Sequence, residues 1–110
     1  MRLLAVLSLV FILLAFSAQS EANDFYQIPL PADAREFARL DNKMPAVLSF
    51  FSQQTESSLR DYYIQQLGQP EMTQQHYGRE QLYFTVNGNR VRILISSRDD
   101  WRQVDIMVQN

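Results

Sequence analysis

The sequence predicts an α+β fold: a small two-layer domain in which one main helix packs on an antiparallel sheet that ends in a β-meander. Two observations predict it. A capped segment in the middle of the chain has apolar side chains at helical spacing. Alternating segments joined by short turns follow it, which is typical of a meander. The expected order of elements is ββαβββ, in which the first element is either an edge strand or a short helix.

The segment before the helix contains the first two elements. Residues 33–40 suit both a short helix by propensity and an edge strand. We expect the strand, because the next segment needs a neighbour in a sheet. That segment, residues 46–51, is a compact apolar run typical of a buried strand. In the lead-in that precedes both, Pro29 and Pro31 favour an extended path.

Residues 55–67 form the predicted helix. Thr55 is a favourable N-cap, because its hydroxyl accepts a backbone N–H of the first turn that has no partner within the helix. Gly68 fits the position after the last turn, and Pro70 prevents continuation. Polar positions such as Arg60 are expected to face water. The apolar stripe consists of Leu59, Tyr62, Tyr63 and Leu67.

The last third of the chain is the predicted meander. Its first strand covers residues 71–77, with Gly78-Arg79 in the turn, and the second strand covers residues 81–86.

Two further turns set the register of the meander. Asn87-Gly88 is the strongest two-residue signal for a type I′ hairpin turn, and Asp99-Asp100 predicts a second hairpin. Both turns place the aliphatic side chains on one face, so the register is self-consistent. That face consists of Leu82, Phe84, Val86, Val91, Ile93, Ile95, Val104, Ile106 and Val108.

The opposite face of the meander has residue types that are enriched at protein interfaces. Tyr83 is expected opposite Arg92, and Arg92 opposite Met107, with a charge pair between Arg92 and Asp105. An ordinary exposed sheet face, on which arginine stems cover aromatic rings, is the alternative. A free sheet edge is a second candidate surface, where a partner strand adds by β-augmentation. Coverage of that edge by the proline-containing lead-in is the alternative. The candidate partner-binding residues are Tyr83, Arg92, Leu94, Trp101, Asp105 and Met107.

Signals for catalysis and metal binding are few. His76 is the only histidine and the only candidate general base, and no nucleophile motif accompanies it. A chain without cysteine has no disulfide, no thiolate zinc site and no cysteine nucleophile. Asp99-Asp100 suits a tight turn better than a calcium site. We therefore expect no cofactor and no metal, and a hydrolase that uses carboxylates around His76 is the least favoured function.

The N-terminal segment has the three-part layout of a secretory signal peptide. Met1-Arg2 is a short positive region, residues 3–16 are apolar, and small residues follow as far as Ala22. We expect cleavage after Ala22, or alternatively after Ser20. The apolar run is shorter than the roughly 20 residues that span a bilayer, which disfavours a stable anchor. The expected organisation is a signal peptide at residues 1–22 and one small domain at residues 23–110, in the periplasm or outside the cell.

The order of a helix, Leu67-Gly68-Gln69-Pro70 and a strand meander resembles small envelope lipoproteins that assist outer-membrane assembly. The likeness covers this supersecondary pattern alone, and the cysteine that carries the lipid in those proteins is absent here. Because fold does not imply function, the resemblance assigns no role to any residue.

The expected function is that of a small exported binding or accessory protein that acts on an envelope partner through the sheet face or a sheet edge. A net charge of −2 disfavours nucleic acid as the partner. The alternative is a small-ligand or lipid carrier with a pocket between helix and sheet, lined by Tyr62, Tyr63 and Phe84.

Overall fold

The computed structural model describes residues 24–110, and the predicted signal peptide lies outside this range. No helix among the described residues has the length and apolar character needed to cross a membrane. The elements are β1 (Asp24–Phe25), β2 (Ile28–Pro29), β3 (Arg35–Leu40), β4 (Ala46–Ser52), α1 (Glu56–Leu67), β5 (Met72–His76), β6 (Arg79–Val86), β7 (Asn89–Arg98) and β8 (Trp101–Gln109).

Six of the strands form one antiparallel sheet, in the order β3-β4-β8-β7-β6-β5, and β1 and β2 form a separate two-stranded hairpin. One helix packs against this sheet, which confirms the α+β class and the meander. Residues 33–40 contain a strand and no helix. Four strands follow the helix, and the first of them, β5, confirms the strand predicted at residues 71–77. The expected order ββαβββ counts only three strands after the helix and is one short.

The helix begins and ends at the predicted residues. The Thr55 hydroxyl accepts the backbone N–H of Ser58 at 3.1 Å, and the backbone N–H of Gly68 donates to the Ile64 carbonyl at 2.8 Å. Gly68 has a φ of 91°, which glycine adopts without steric cost. Within the predicted stripe, Leu59 and Tyr63 are fully buried, while Tyr62 and Leu67 are partly buried against the core.

Arg60 does not simply face water. Its Nη1 atom lies 3.1 Å from Oε2 of Glu80, which is a buried residue of β6. The Arg60 side chain extends toward the sheet, because the buried Glu80 carboxylate is stabilised by a positive charge next to it. This ion pair connects α1 to β6.

The predicted register of the meander is confirmed. Ile93 pairs with Leu82 on one side and with Ile106 on the other. Asn87 and Gly88 both have positive φ angles, of 51° and 81°, as a type I′ turn requires.

The turn between β5 and β6 lies one residue earlier than predicted. His76 pairs with Arg79, so Tyr77 and Gly78 occupy the turn, and the predicted Gly78-Arg79 turn is wrong. Tyr77 and Gly78 have φ angles of 50° and 73°. The glycine therefore takes the second of the two positive-φ positions, and a tyrosine takes the first.

The core lies between α1, the N-terminal hairpin and one face of the sheet. Eight of the nine predicted aliphatic residues of the meander are buried, and Val86 is partly buried beside them. The lead-in adds buried side chains that the extended-path prediction did not include, because Tyr26 and Gln27 have positive φ angles and turn the chain back on itself. These additional core residues are Phe25, Ile28 and Leu30.

Asp33 fastens this lead-in to the loop before the helix. Its carboxylate accepts hydrogen bonds from the Ser52 hydroxyl at 2.9 Å, the Gln53 backbone N–H at 2.9 Å and the Gln54 side-chain amide at 2.9 Å. Partial burial raises the pKa of Asp33. The three hydrogen bonds outweigh that effect, so the net pKa is lowered from its ordinary value of 3.8.

A carboxyl group with a lowered pKa in the folded state stabilises the fold above its unfolded pKa, and this contribution is lost as the pH falls. We therefore expect Asp33→Asn to lower the free energy of unfolding by about 0.5–1 kcal/mol at pH 7, because the site is largely exposed. At pH 3 the difference between the two proteins should shrink. Urea denaturation at both pH values checks this, and an equal difference at both would contradict it.

Candidate functional site

The face of the sheet opposite α1 holds the partner-binding candidates. Successive side chains of a strand point to opposite faces, and α1 and the N-terminal hairpin both contribute to the core on one face. We call the opposite face the open face. The burial pattern along β6, β7 and β8 alternates accordingly. The open face therefore carries all six predicted residues, namely Tyr83, Arg92, Leu94, Trp101, Asp105 and Met107.

One line of directly paired residues crosses the open face from edge to edge. It contains one residue from each of the six strands, and each residue pairs with the next across adjacent strands. At a strand spacing of about 4.8 Å its ends are about 24 Å apart. Its two ends are well exposed, with Leu40 at 68% and Met72 at 46%. We call it the apolar row, and it consists of Leu40, Val47, Met107, Arg92, Tyr83 and Met72.

The β5 end of the apolar row forms a pocket of about 350 Å³. The predicted trio of Tyr83, Arg92 and Met107 lines it, and Glu71 and Met72 add a carboxylate and a second thioether. Methionine side chains are flexible and polarisable, so such a pocket adapts to apolar groups of different shapes.

Arg92 is the one charged member of the apolar row. Its Nη2 atom lies 3.3 Å from the Met107 sulfur, which is a weak acceptor. The expected charge pair between Arg92 and Asp105 does not form. Asp105 accepts instead from the Ser49 hydroxyl at 2.6 Å and from the Gln103 amide at 3.2 Å, so the residues nearest to it in the register satisfy it. Within residues 24–110, Arg92 forms no salt bridge.

Trp101 lies apart from the predicted trio, at the other end of the open face. It belongs to a cluster of rings that the sequence prediction missed. Phe37 stacks on Phe51 at 4.4 Å between ring centroids, and Phe51 meets Trp101 edge to face at 6.4 Å. The Arg35 guanidinium lies 5.8 Å from the Trp101 ring centroid. We call Phe37, Phe51 and Trp101 the aromatic cluster.

A β-bulge brings Phe37 into this cluster. Glu36 pairs with Phe50 and Ala38 with Ser49, so Phe37 is an extra residue in β3. The extra residue interrupts the alternation of faces along the strand. Because that alternation is the pattern from which a sequence predicts the face of each residue, the face of Phe37 could not be predicted. In the sequence, Phe37 is one of three apolar residues of β3, and nothing local marks it as the extra residue.

The three residues of the alternative ligand pocket take part in core packing. Tyr63 and Phe84 are buried in the core cluster. Tyr62 is partly buried, and its ring meets that of Tyr63 edge to face at 5.0 Å. Burial raises the pKa of the Tyr63 hydroxyl far above its ordinary value of 10.0.

His76 lies at the end of β5, exposed, with its ring 4.6 Å from that of Tyr77. Asp99 has a φ of 49° and forms the turn between β7 and β8. Within the described range, no three acidic or histidine side chains lie close enough together to hold a metal ion.

Comparison with protein families, curated proteins and solved structures finds no match for this chain.

Neighbouring residues of β7 should differ sharply in their effect on stability. We expect Arg92→Ala to change the free energy of unfolding by less than about 0.5 kcal/mol, because the side chain is exposed on the open face. Ile93→Ala, on the buried face, should lower it by about 2–4 kcal/mol through the cavity it leaves. Urea denaturation measures both changes. A large decrease in the free energy of unfolding for Arg92→Ala would show that Arg92 stabilises the fold and would contradict this prediction.

Proposed function

We propose that this chain is a small exported binding module that docks a protein of the cell envelope on its open face. The observation that carries the proposal is the apolar row, which spans the full width of the sheet and is exposed at both ends. Apolar side chains in contact with water raise the free energy of a surface, and exposed apolar patches mark interaction sites. The apolar members of the row form two such groups, one on each side of Arg92.

The length of the row favours a macromolecular partner over a small ligand. A drug-sized molecule would fill the pocket at Tyr83, but Val47 and Leu40 would stay uncovered. A segment of protein chain covers about 24 Å with 7–8 extended residues or about 16 helical residues. An element of ordinary length therefore matches the row.

Arg92 defines the polar part of the partner. Docking an apolar surface over the row removes water from the guanidinium, and a desolvated charge is costly unless the partner supplies an opposite charge. Met107 supplies only a weak acceptor. The partner we propose therefore places a carboxylate, surrounded by aliphatic side chains, opposite Arg92.

The aromatic cluster extends the same surface along the strands, toward the end of the open face at which β8 begins. Tryptophan, tyrosine and arginine are the residue types that most often dominate binding energy. The cluster and Arg35 provide a second group of such residues, separated from Tyr83 by the polar residues Ser49 and Asp105. Two anchors on one face would fix the orientation of a partner as well as its position.

A photo-crosslinking residue in place of Tyr83, with the full-length chain expressed in its native host, tests the proposal. Irradiation should give one discrete adduct with an envelope protein, identified by mass spectrometry. The same residue in place of Gln65, which is exposed on the helix, serves as the control position. Equal adducts at both positions, or none at Tyr83, would contradict the proposal.

A second variant tests the length of the surface. Leu40 lies at the far end of the row, about 19 Å from Tyr83 across four strand spacings. If one partner covers the whole row, Leu40→Asp should lower the yield of the Tyr83 adduct severalfold, although residue 40 does not touch the crosslinker. Gln66→Asp, on the exposed side of the helix, is the matched control and should leave the yield unchanged.

A further inference from the structure

The two edges of the sheet differ in how they are protected. The β3 edge has charged side chains at three of its six positions, namely Arg35, Glu36 and Arg39, together with the β-bulge at Phe37. Charges and bulges are devices that prevent a second strand from adding to an edge.

Neighbouring residues shield the β3 edge further. Arg39 forms an ion pair with Glu36 at 2.9 Å, and its guanidinium lies 5.5 Å from the Phe25 ring centroid of the N-terminal hairpin. The Tyr26 hydroxyl donates to the backbone carbonyl of Asp41 at 2.9 Å. The lead-in thus contacts the end of β3 and the residue that follows it through Phe25 and Tyr26.

The β5 edge has none of these protective features. Its sequence, Met-Thr-Gln-Gln-His, has no lysine, arginine, carboxylate or proline, and its register with β6 is regular over all five residues. All five residues are exposed, so β5 adds nothing to the core. One side of its backbone pairs with β6, and the other side presents its N–H and C=O groups at the edge of the sheet, along a strand without acidic, lysine or arginine side chains.

The turn beside this edge also carries an unexpected residue. Tyr77 is 93% exposed and has a φ of 50°, in the left-handed region that favours glycine or asparagine. A large ring in that conformation costs free energy and gains no burial within the described chain. Unfavourable conformations of this kind are concentrated at sites of interaction.

From these observations we propose that β5 is a dimerisation edge. Two copies of the chain pair their β5 strands antiparallel about a two-fold axis that passes beside Gln74. In this register Gln74 faces Gln74 of the second copy, Thr73 faces its Gln75, and Met72 faces its His76. No two like charges meet, and the central amides hydrogen-bond to each other across the axis.

A second copy fits this edge better than a foreign strand does. A neutral edge has no charge pattern with which to select an acidic or a basic partner. A two-fold interface needs only a surface that is complementary to itself. A neutral five-residue strand meets this condition, because pairing it with its own copy brings no like charges together. Met72 and His76 of opposite copies meet on one face, where a methionine contacts an aromatic ring favourably.

The size of the contact sets its strength. Five paired residues from each copy bury far less than the roughly 1,200 Å² of a stable interface, so the dimer should be weak and reversible. A dissociation constant on the order of 100 μM is the expected scale for such a contact. Met72 belongs both to this contact and to the apolar row, so the dimer places the second copy next to the β5 end of the open face.

Charge substitutions at the axis test the pairing directly. Gln74→Lys and Gln74→Glu each place like charges opposite one another and should make the protein monomeric at concentrations where the unmodified chain is dimeric. An equal mixture of the two variants places Lys opposite Glu, and the dimer should return at least to the unmodified level. Sedimentation velocity from 10 μM to 1 mM measures all three, and circular dichroism confirms that both variants are folded.

Gln65→Lys and Gln65→Glu are matched controls on the helix, and they should dimerise as the unmodified chain does. A chain that is monomeric at 1 mM would overturn the proposal, as would a dimer that persists in both single variants. Loss of the dimer in both variants without recovery in the mixture would reject the two-fold axis at Gln74.

Discussion

The pairing of β7 with β8 is the constraint on which the rest of the molecule depends. Ile93 lies opposite Ile106, and both are fully buried. Because side chains alternate, a shift of one residue in either strand would turn its aliphatic residues outward and its polar residues inward. The helix and the N-terminal hairpin cover the face that this register makes apolar. The same register leaves Arg92 and Met107 paired on the open face, so core packing determines which residues form the candidate site.

The sequence predicts the meander and the helix well because each has local signals that agree with the packing. Asn87-Gly88 specifies a turn type and therefore a register between β6 and β7. The alternation of apolar and polar residues in these two strands independently assigns the same side chains to the buried face. Thr55 and Gly68 mark the two helix ends through backbone hydrogen bonds that their residue types favour. Since the register followed from the turns, the adjacency of Tyr83, Arg92 and Met107 was predictable as well.

Other features depend on contacts between distant residues and have no local signal. The aromatic cluster joins Phe37, Phe51 and Trp101, which lie in three strands, and a bulge in β3 is needed to align the first of them. The Arg60–Glu80 ion pair depends on where the helix crosses the sheet. The hairpin of the lead-in requires positive φ angles at Tyr26 and Gln27, and neither tyrosine nor glutamine is a residue type that predicts a turn.

The open face and the β5 edge are related by geometry. A two-fold axis between antiparallel edge strands is perpendicular to the sheet, so both open faces of a dimer would lie on the same side. Two weak contacts with one target, or with two copies of it, then act together through their effective concentration. A module of this size would gain affinity in this way without a larger interface.

The position of Trp101 gives the chain an internal optical reporter. The sequence contains a single tryptophan, and it lies partly exposed on the open face, beside Phe51 and under Arg35. Indole emission shifts to shorter wavelength when water is displaced from the ring. Selective excitation at the long-wavelength edge of indole absorption, where the five tyrosines barely absorb, therefore reports occupancy of the candidate face rather than the packing of the core. Any partner that reaches the aromatic cluster can be titrated without a label.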